Sequence, residues 1–147
     1  MNAAAFYDEK LYMFKGLWYW TFKDGYLLEK PNFLSTIYPD IRGAVDSVFI
    51  NHNEQFFFVE QKVYIYNMNK ELKKTRAFTD YCLPSYVKNI QSADGVDLLI
   101  FVISNGTQYL YDQEYEQCYT YSSEDKSFAT ISMDGSMDNA NSVNIVN

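Results

Sequence analysis

The sequence predicts an all-β protein that is built from repeated, small antiparallel sheets. Aromatic residues make up 18% of the 147 residues, and such side chains favour the pleated, half-buried surfaces of strands. Three segments resemble hairpins in which aromatic residues recur at every second position, and a short apolar strand precedes each of them. Alternate side chains lie on one face of a strand, so this spacing indicates sheets with a buried aromatic face.

The aromatic hairpins define the repeat. They comprise residues 11–22, 56–66 and 109–121. In the first of them, the spacing places Tyr12 and Phe14 on the same face of a strand. Four further aromatic residues are expected mainly in the core of the sheets: Trp18, Tyr19, Trp20 and Tyr64. One aromatic residue at an edge would suit the anchoring of a protein partner.

The segment ahead of each hairpin also repeats. The predicted opening strands are residues 3–6, 45–49 and 96–101. Aligning these strands makes Ala3, Asp46 and Asp97 equivalent positions. Since the upstream segments repeat together with the hairpins, the sequence predicts one structural unit that occurs three times.

Turn and helix signals separate the predicted strands. The dipeptide Asn105-Gly106 is a strong signal for a two-residue hairpin turn. Behind the first hairpin, residues 33–38 predict a short helical turn that Pro39 ends. A second helical turn is expected near residues 77–82.

The repeated unit has the build of a β-propeller blade, with three strands, a connector and a short fourth strand. One domain, residues 1–147, then holds blades at about residues 2–43, 44–94 and 95–141. We interpret residues 143–147 as the first strand of a fourth blade, and the alternative is a disordered polar tail. Three blades and one strand leave a sheet face uncovered, which predicts self-association or a partner that supplies the missing blade, unless residues 122–147 cover the gap.

The first repeat resembles the hemopexin-like repeat of hemopexin, vitronectin and the C-terminal domains of matrix metalloproteinases. The resemblance rests on residues 4–6, 11–16, 19–20, 37–41 and 45–49. The second repeat keeps the small strand and the aromatic alternation but has Val59-Glu60 in place of Lys-Gly. The resemblance extends over residues 2–121. It implies a four-bladed disc that recognises proteins or matrix without turning over a substrate.

The resemblance also implies a calcium or sodium ion in a central channel, where backbone carbonyl groups of the small strands collect it. The matching positions are Ala3, Asp46, Asp97 and Asn144. Oxygen ligands suit such a hard cation. The alternative is that Asp46 and Asp97 only cap or hydrogen-bond neighbouring strands.

Composition excludes several classes of function. A net charge of −7 is a poor match for a phosphate backbone, so no nucleic-acid partner is expected. The sequence has one histidine, His52, in a predicted loop, which excludes a zinc-binding histidine pair and argues against haem binding. No glycine-rich phosphate loop occurs, and no apolar run is long enough to span a membrane. An enzyme is therefore not expected.

Two cysteines and one glycosylation signal bear on the compartment. Cys82 and Cys118 form a disulfide in an oxidising environment or stay as two buried thiols. The resembled family usually joins its first and last blades by a disulfide, which this pair does not match. Asn105 heads an Asn-Gly-Thr acceptor for glycosylation. No leader-like segment precedes the first predicted strand, so the sequence starts on a mature product or the protein is never secreted.

These observations predict a non-catalytic extracellular module that binds a protein partner or a second copy of itself. One alternative is the accessory domain of a protease that resembles the matrix metalloproteinases, and a zinc-binding His-Glu-x-x-His segment elsewhere in the protein would identify it. The other alternative is a storage or ligand-binding protein like the seed albumins that are built from the same repeat.

Overall fold

The computed structural model describes residues 2–131 and 137–143, and it contains three antiparallel sheets. The chain divides into two compact units, Met1–Arg76 and Ala77–Asn147. The prediction of an all-β fold is confirmed. In the described part of the chain, no helix is both long and apolar enough to cross a membrane.

The first sheet is a meander whose central strands alternate buried and exposed side chains. Its strands are β1 (Asn2–Tyr7), β2 (Lys10–Lys15), β3 (Trp18–Lys23), β4 (Tyr26–Leu27) and β5 (Asn32–Phe33). Strands β1 to β4 follow one another in the sheet, and β5 also pairs with β3. The predicted hairpin at residues 11–22 is therefore confirmed as β2 and β3.

The second sheet has four strands, and its central strand is apolar on both faces. The strands are β6 (Ser47–Asn51), β7 (Glu54–Val59), β8 (Lys62–Asn67) and β9 (Leu72–Ala77). From Gln55 to Val59 every residue of β7 is buried, so this strand is covered on both faces. All residues of the edge strand β9 are exposed, and its Lys73, Lys74 and Arg76 suit an edge that must not pair with another chain.

The core of the first unit lies between these two sheets. One buried cluster joins Tyr12 and Phe14 of the first sheet to Phe57 and Tyr66 of the second. It also contains Tyr38, which lies in the connector between β5 and β6. The ring of Phe14 meets that of Phe57 edge to face, with 5.6 Å between centroids. Such aromatic pairs stabilise a core beyond the area that they bury.

The third sheet has six strands in sequence order. They are β10 (Ser92–Val96), β11 (Leu99–Ser104), β12 (Thr107–Asp112), β13 (Gln117–Ser122), β14 (Ser127–Ile131) and β15 (Met137–Val143). The connector before it contributes buried side chains, among them Leu83 and Ile90. The second unit therefore contributes buried apolar side chains of its own.

Both predicted helical turns are confirmed, as short 3-10 turns at Leu34–Thr36 and Phe78–Tyr81. The Asn105-Gly106 turn is confirmed as well. It joins β11 to β12, and both residues have positive φ, at 49° and 77°, as a type I′ turn requires.

The predicted opening strand of the third sheet is wrong. Residues 96–101 do not form one strand, because Asp97 and Leu98 form the turn between β10 and β11. Asp97 has a φ of 53°, which Asp tolerates better than most residues. In the run from Val96 to Phe101, Asp97 is the one residue typical of turns, and the apolar residues around it favoured a continuous strand.

The predicted start of a fourth blade falls at the edge of the described chain. Val143 is the last residue of β15 and pairs with Phe128 of β14, so it belongs to the third sheet. The strand β15 also covers residues 137–142, which are most of the polar segment 134–142 that suggested a disordered tail. Residues 144–147 lie outside the described residues.

Candidate binding face on the first sheet

The first sheet is apolar on both faces, although only one of them is buried. The inner face belongs to the core with Ala3, Ala5, Tyr7, Tyr12 and Phe14. The opposite face, here called the outer face, consists of Ala4, Phe6, Leu11, Met13, Lys15, Trp18, Trp20 and Phe22. An antiparallel sheet with one solvated face normally places polar residues there, so this composition is that of a surface to be covered.

Strand register arranges the outer face in rows. One row runs from Ala4 through Met13 to Trp20, since Met13 pairs with both of the others. A second row joins Phe6, Leu11 and Phe22 in the same way. Directly opposed residues of an antiparallel pair lie on the same face and touch. Met13 is therefore the centre of this surface.

Exposure confirms that the outer face is open. Phe6 is 69% exposed, Trp18 42% and Met13 40%. Leu11, Trp20 and Phe22 are half-buried. Large apolar side chains that are contiguous and exposed mark interaction sites more often than isolated ones do.

Concave regions lie on this surface. A groove of about 780 Å³ is lined by the apolar residues Phe6, Leu11, Met13 and Phe22 and by the charged residues Glu9, Lys23 and Asp24. A second groove of about 600 Å³ is lined by Lys15, Gly16, Trp18, Trp20 and Pro31. Apolar grooves with a few polar groups at the rim suit the binding of apolar or aromatic side chains.

An aromatic pair forms one end of the outer face. Trp18 and Phe33, which are paired between β3 and β5, stack with ring centroids 4.3 Å apart and an angle of 25° between the rings. Both side chains are substantially exposed. Exposed tryptophan at the edge of an apolar surface is a common anchor for partners.

The titratable groups with clearly shifted pKa values are tyrosines of the interior and of the third sheet. Burial raises the pKa of Tyr7 and Tyr38 far above the usual value, and the two hydroxyl groups hydrogen-bond to each other. Burial, together with Asp40, raises the pKa of Tyr66. These hydroxyl groups stay protonated, and those of Tyr7 and Tyr38 link two parts of the interior, so they do not suggest acid–base chemistry.

The four predicted ion ligands do not form one set of equivalent positions. Ala3 lies on the buried face of β1, and Asp46 is buried immediately before β6. Asp97 lies instead in the exposed turn that follows β10. The equivalent turns after β1 and β6 begin with Asp8 and His52. Asn144 lies outside the described residues.

The positional equivalence behind the channel ion is thus wrong for Asp97. It is also offset by one residue for Asp46, because Ser47 pairs with Phe58 in the way that Ala3 pairs with Phe14. Among the residues that the structure describes, no three His, Cys, Asp or Glu side chains gather as a site made of side chains would require, whereas the predicted ligands are backbone carbonyl groups. Of the predicted positions, Asp46 alone combines a carboxylate with burial beside a sheet. The calcium or sodium ion stays a prediction.

The remaining predicted residues lie at the surface or in the second unit. His52 is in the exposed turn between β6 and β7, with a φ of 49°. Asn105 is exposed in its hairpin turn, where a glycan would have room. Cys82 and Cys118 are both buried and form a disulfide, with their Cα atoms 5.5 Å apart. The alternative of two free thiols is therefore wrong.

Sequence reasoning missed most of the outer face. Tyr19 is buried as expected, but Trp18 is exposed and Trp20 is only half-buried. The sequence did contain a signal for it. In the first hairpin, the positions between the buried aromatic residues are also apolar, as Leu11, Met13 and Phe22 show. A strand that is apolar at consecutive positions predicts a sheet that is covered on both faces.

Neither a protein-family model nor a curated protein sequence matches this chain. Its fold is similar to that of a hemopexin-fold protein, CP4, from cow pea, with a TM-score of 0.60 and 14% identity over 79% of this chain and 64% of that one. A 2S albumin seed protein from Dolichos is similar with a TM-score of 0.59 and 12% identity, over 88% and 65% of the two chains.

A third similar structure is a plant lectin with two metal-binding sites from Cicer arietinum, with a TM-score of 0.60 and 12% identity over 99% of this chain and 90% of the lectin. The protein thus shares a hemopexin-like fold with a plant albumin and a lectin, which supports the predicted hemopexin-like fold. At these identities the likeness concerns the fold alone. The chain spans less than two thirds of the cow pea and Dolichos proteins.

Proposed function

We propose that this chain is a non-catalytic, secreted binding module in which sheets stack as propeller blades and the outer face of the first sheet receives a protein partner. The observation that carries the proposal is the apolar composition of both faces of that sheet, of which one is open. A partner that covers Phe6, Met13 and Trp18 removes from water the most exposed large apolar side chains of this face.

Two further observations support a binding role without catalysis. The three similar structures are described as a hemopexin-fold protein, an albumin and a lectin, and none of these descriptions names a reaction. The raised pKa values of Tyr7, Tyr38 and Tyr109 are caused by burial and by neighbouring side chains of the same chain. Secretion is supported by the buried disulfide, because disulfides persist mainly in oxidising compartments.

The availability of the outer face is tested with anilinonaphthalene sulfonate, a dye that fluoresces on apolar surfaces, at nanomolar protein concentration. The wild type is expected to enhance dye fluorescence, with energy transfer from Trp18 and Trp20, the two tryptophans of the sequence. Met13→Asp places a charge at the centre of the face and should remove most of the enhancement.

Leu72→Asp is the matched control, because Leu72 is 38% exposed, close to the 40% of Met13, and lies on the edge strand β9. This variant should bind the dye like the wild type. Equal fluorescence of the wild type and Met13→Asp, together with tryptophans that acrylamide cannot quench, would refute an open binding face.

A second candidate function is ligand binding of the seed-albumin or lectin type. It is favoured by the fold of the Dolichos albumin and the Cicer arietinum lectin, and by the exposed Trp18–Phe33 stack beside Lys15. The C–H-bearing faces of sugar rings pack well on such aromatic surfaces. Binding to immobilised glycans that Trp18→Ala abolishes and Tyr115→Ala preserves would support this candidate.

A further inference from the structure

We propose that Asn105 and Gly106 form a site of spontaneous modification, at which the asparagine loses its side-chain amide through a succinimide, and that Gln91 holds this site closed in the folded chain. The sequence contains Asn followed by Gly at this position alone. The site lies in the second unit, and it is independent of the outer face and of any partner that binds there.

The reaction joins two neighbouring groups of the chain. The backbone nitrogen of Gly106, after loss of its proton, attacks Cγ of Asn105. A bond forms between this nitrogen and Cγ while the bond from Cγ to Nδ2 breaks, so that Nδ2 takes up the proton and leaves as ammonia. Water then opens the five-membered succinimide ring at either carbonyl group and yields aspartate or isoaspartate. Glycine presents an accessible backbone nitrogen because it has no Cβ atom.

The turn is open to water but has the wrong geometry for ring closure. Asn105 and Gly106 are both exposed. A type I′ turn has a ψ of about +30° at its first central residue. At this angle the Gly106 nitrogen lies nearly opposite Cβ of Asn105 about the Cα–C bond, whereas ring closure needs the two atoms on the same side. The turn must therefore open before the reaction can begin.

Gln91 binds the nitrogen that would attack. The backbone N–H of Gly106 donates a hydrogen bond of 2.7 Å to Oε1 of Gln91. The pairing of β11 with β12 ends at Ser104 and Thr107, so this N–H takes no part in the sheet. The hydrogen bond keeps the proton on the nitrogen and fastens the turn, and the reaction has to undo both.

Two further hydrogen bonds hold the same end of the hairpin to the segment that contains Gln91. The Ser104 hydroxyl group donates to the carbonyl oxygen of Asn89 over 2.8 Å, and the backbone N–H of Gln91 donates to the carbonyl oxygen of Ile103 over 2.8 Å. These bonds fix the backbone of Gln91 beside the turn. Its side chain therefore loses less conformational entropy when it reaches Gly106.

The modification would change the hairpin and the predicted glycosylation signal together. Nδ2 of Asn105 is the atom that would carry a glycan and also the atom that leaves as ammonia. Isoaspartate adds one carbon atom to the main chain of a two-residue turn, which no longer fits the pairing of Ser104 with Thr107. Modified molecules are thus those in which this end of the third sheet has opened.

The test follows Asn105 by mass spectrometry in the full, unglycosylated chain, kept in warm, mildly alkaline buffer with and without guanidinium chloride. The native wild type is expected to react at least about tenfold more slowly than the denatured chain, because the reaction has to wait for local opening. Gln91→Met should accelerate the native reaction roughly 3- to 10-fold, which is the change in population that the loss of one hydrogen bond produces.

Two variants control for the change of side chain. Gln91→Glu keeps an acceptor oxygen and should react as slowly as the wild type. Gln108→Met should also leave the rate unchanged, because Gln108 is an exposed glutamine of β12 beside the same turn. Hydrogen exchange separates a local effect from a general loss of stability. Gln91→Met should speed exchange of the Gly106 amide while the buried amides of β12 still exchange slowly.

Equal rates in the native and the denatured wild type would show that the fold does not close the site. Equal rates in the native wild type and Gln91→Met, or an equal acceleration in Gln91→Met and Gln108→Met, would overturn the role of Gln91. An Asn105 that stays intact in the denatured chain would overturn the site itself.

Discussion

The hydroxyl groups of Tyr7 and Tyr38 lie 2.5 Å apart in the interior of the first unit. Tyr38 donates its proton to Oε1 of Gln55, so Tyr7 must donate to Tyr38. Gln55 is fully buried in β7. A chain of hydrogen bonds thus joins the first sheet, the connector and the second sheet, behind the face that we propose as the binding surface.

Removal of the central hydroxyl group should destabilise the first unit. In Tyr38→Phe, Gln55 and Tyr7 both lose a buried partner, which costs about 1–3 kcal/mol. Tyr66→Phe is the control, because its hydroxyl group makes a 3.4 Å hydrogen bond to the exposed Asp40. Denaturant titration followed by tryptophan fluorescence measures both variants. An equal loss of stability in the two would contradict a special role for the Tyr7–Tyr38–Gln55 chain.

The same tyrosines should make the fold sensitive to alkali. The pKa values of Tyr7 and Tyr38 are raised by burial, so the folded state holds protons that the unfolded state loses above the usual pKa of about 10. Stability is therefore complete below about pH 10 and falls as the pH rises further, by up to about 1.4 kcal/mol per pH unit for each such tyrosine.

Absorbance at the phenolate band and circular dichroism, recorded together through alkaline pH, test this expectation. The last tyrosines should ionise in the same step in which the strand signal disappears. Complete ionisation while the sheets remain intact would show that these hydroxyl groups are accessible in the folded state.

The repeated strands and their inner faces could be predicted because local patterns determine them. The alternation at Tyr12 and Phe14 specifies a buried face, and Asn105-Gly106 specifies a turn with positive φ at both residues. Such signals need only a few neighbouring residues. They sufficed for the all-β class, for both 3-10 turns and for the first hairpins.

The features that failed depend on contacts between distant residues or on ambiguous local signals. The turn at Asp97 was hidden within an apolar run. Exposure of Trp18 depends on whether another sheet covers it, and no local pattern reports that. The disulfide was one of two open alternatives, because its formation requires Cys82 in the connector to meet Cys118 in β13.

Gly43 should resist substitution because the second sheet approaches it closely. A Cβ atom at this position would lie 2.9 Å from Cγ1 of Val59 and 2.6 Å from Cδ of Glu60. The Glu60 side chain is exposed and can move, but Val59 is buried. Gly43→Ala is therefore expected to destabilise the first unit by about 1–3 kcal/mol.

Thermal unfolding compares Gly43→Ala with the double variant Gly43→Ala/Val59→Ala, in which the closest fixed atom is removed. The glycine substitution should cost less in the Val59→Ala background than in the wild type. Equal costs in both backgrounds would show that the contact with Val59 is not the cause.

Calcium tests the predicted cation site. If the ion binds the folded state, calcium should raise the melting temperature in sodium-free buffer by mass action. Asp46→Asn should reduce this increase, because Asp46 is a buried carboxylate beside β6, and Asp97→Asn should not, because Asp97 lies in an exposed turn. An unchanged melting temperature of the wild type in calcium and in sodium would eliminate the ion.

Reduction of the Cys82–Cys118 disulfide should destabilise the second unit specifically. The bond closes a loop between residues 36 positions apart, and the loss of chain entropy in the unfolded state makes such a bond worth about 4 kcal/mol. Both residues belong to the unit Ala77–Asn147, whereas both tryptophans lie in the unit Met1–Arg76. Circular dichroism of the Cys82→Ala/Cys118→Ala variant should show an early loss of strand signal, while tryptophan emission reports the first unit separately.

The reduced wild type serves as the control and should unfold like the double variant. Identical denaturation curves for the oxidised wild type and the variant would mean that packing around β13 holds the connector without the covalent bond.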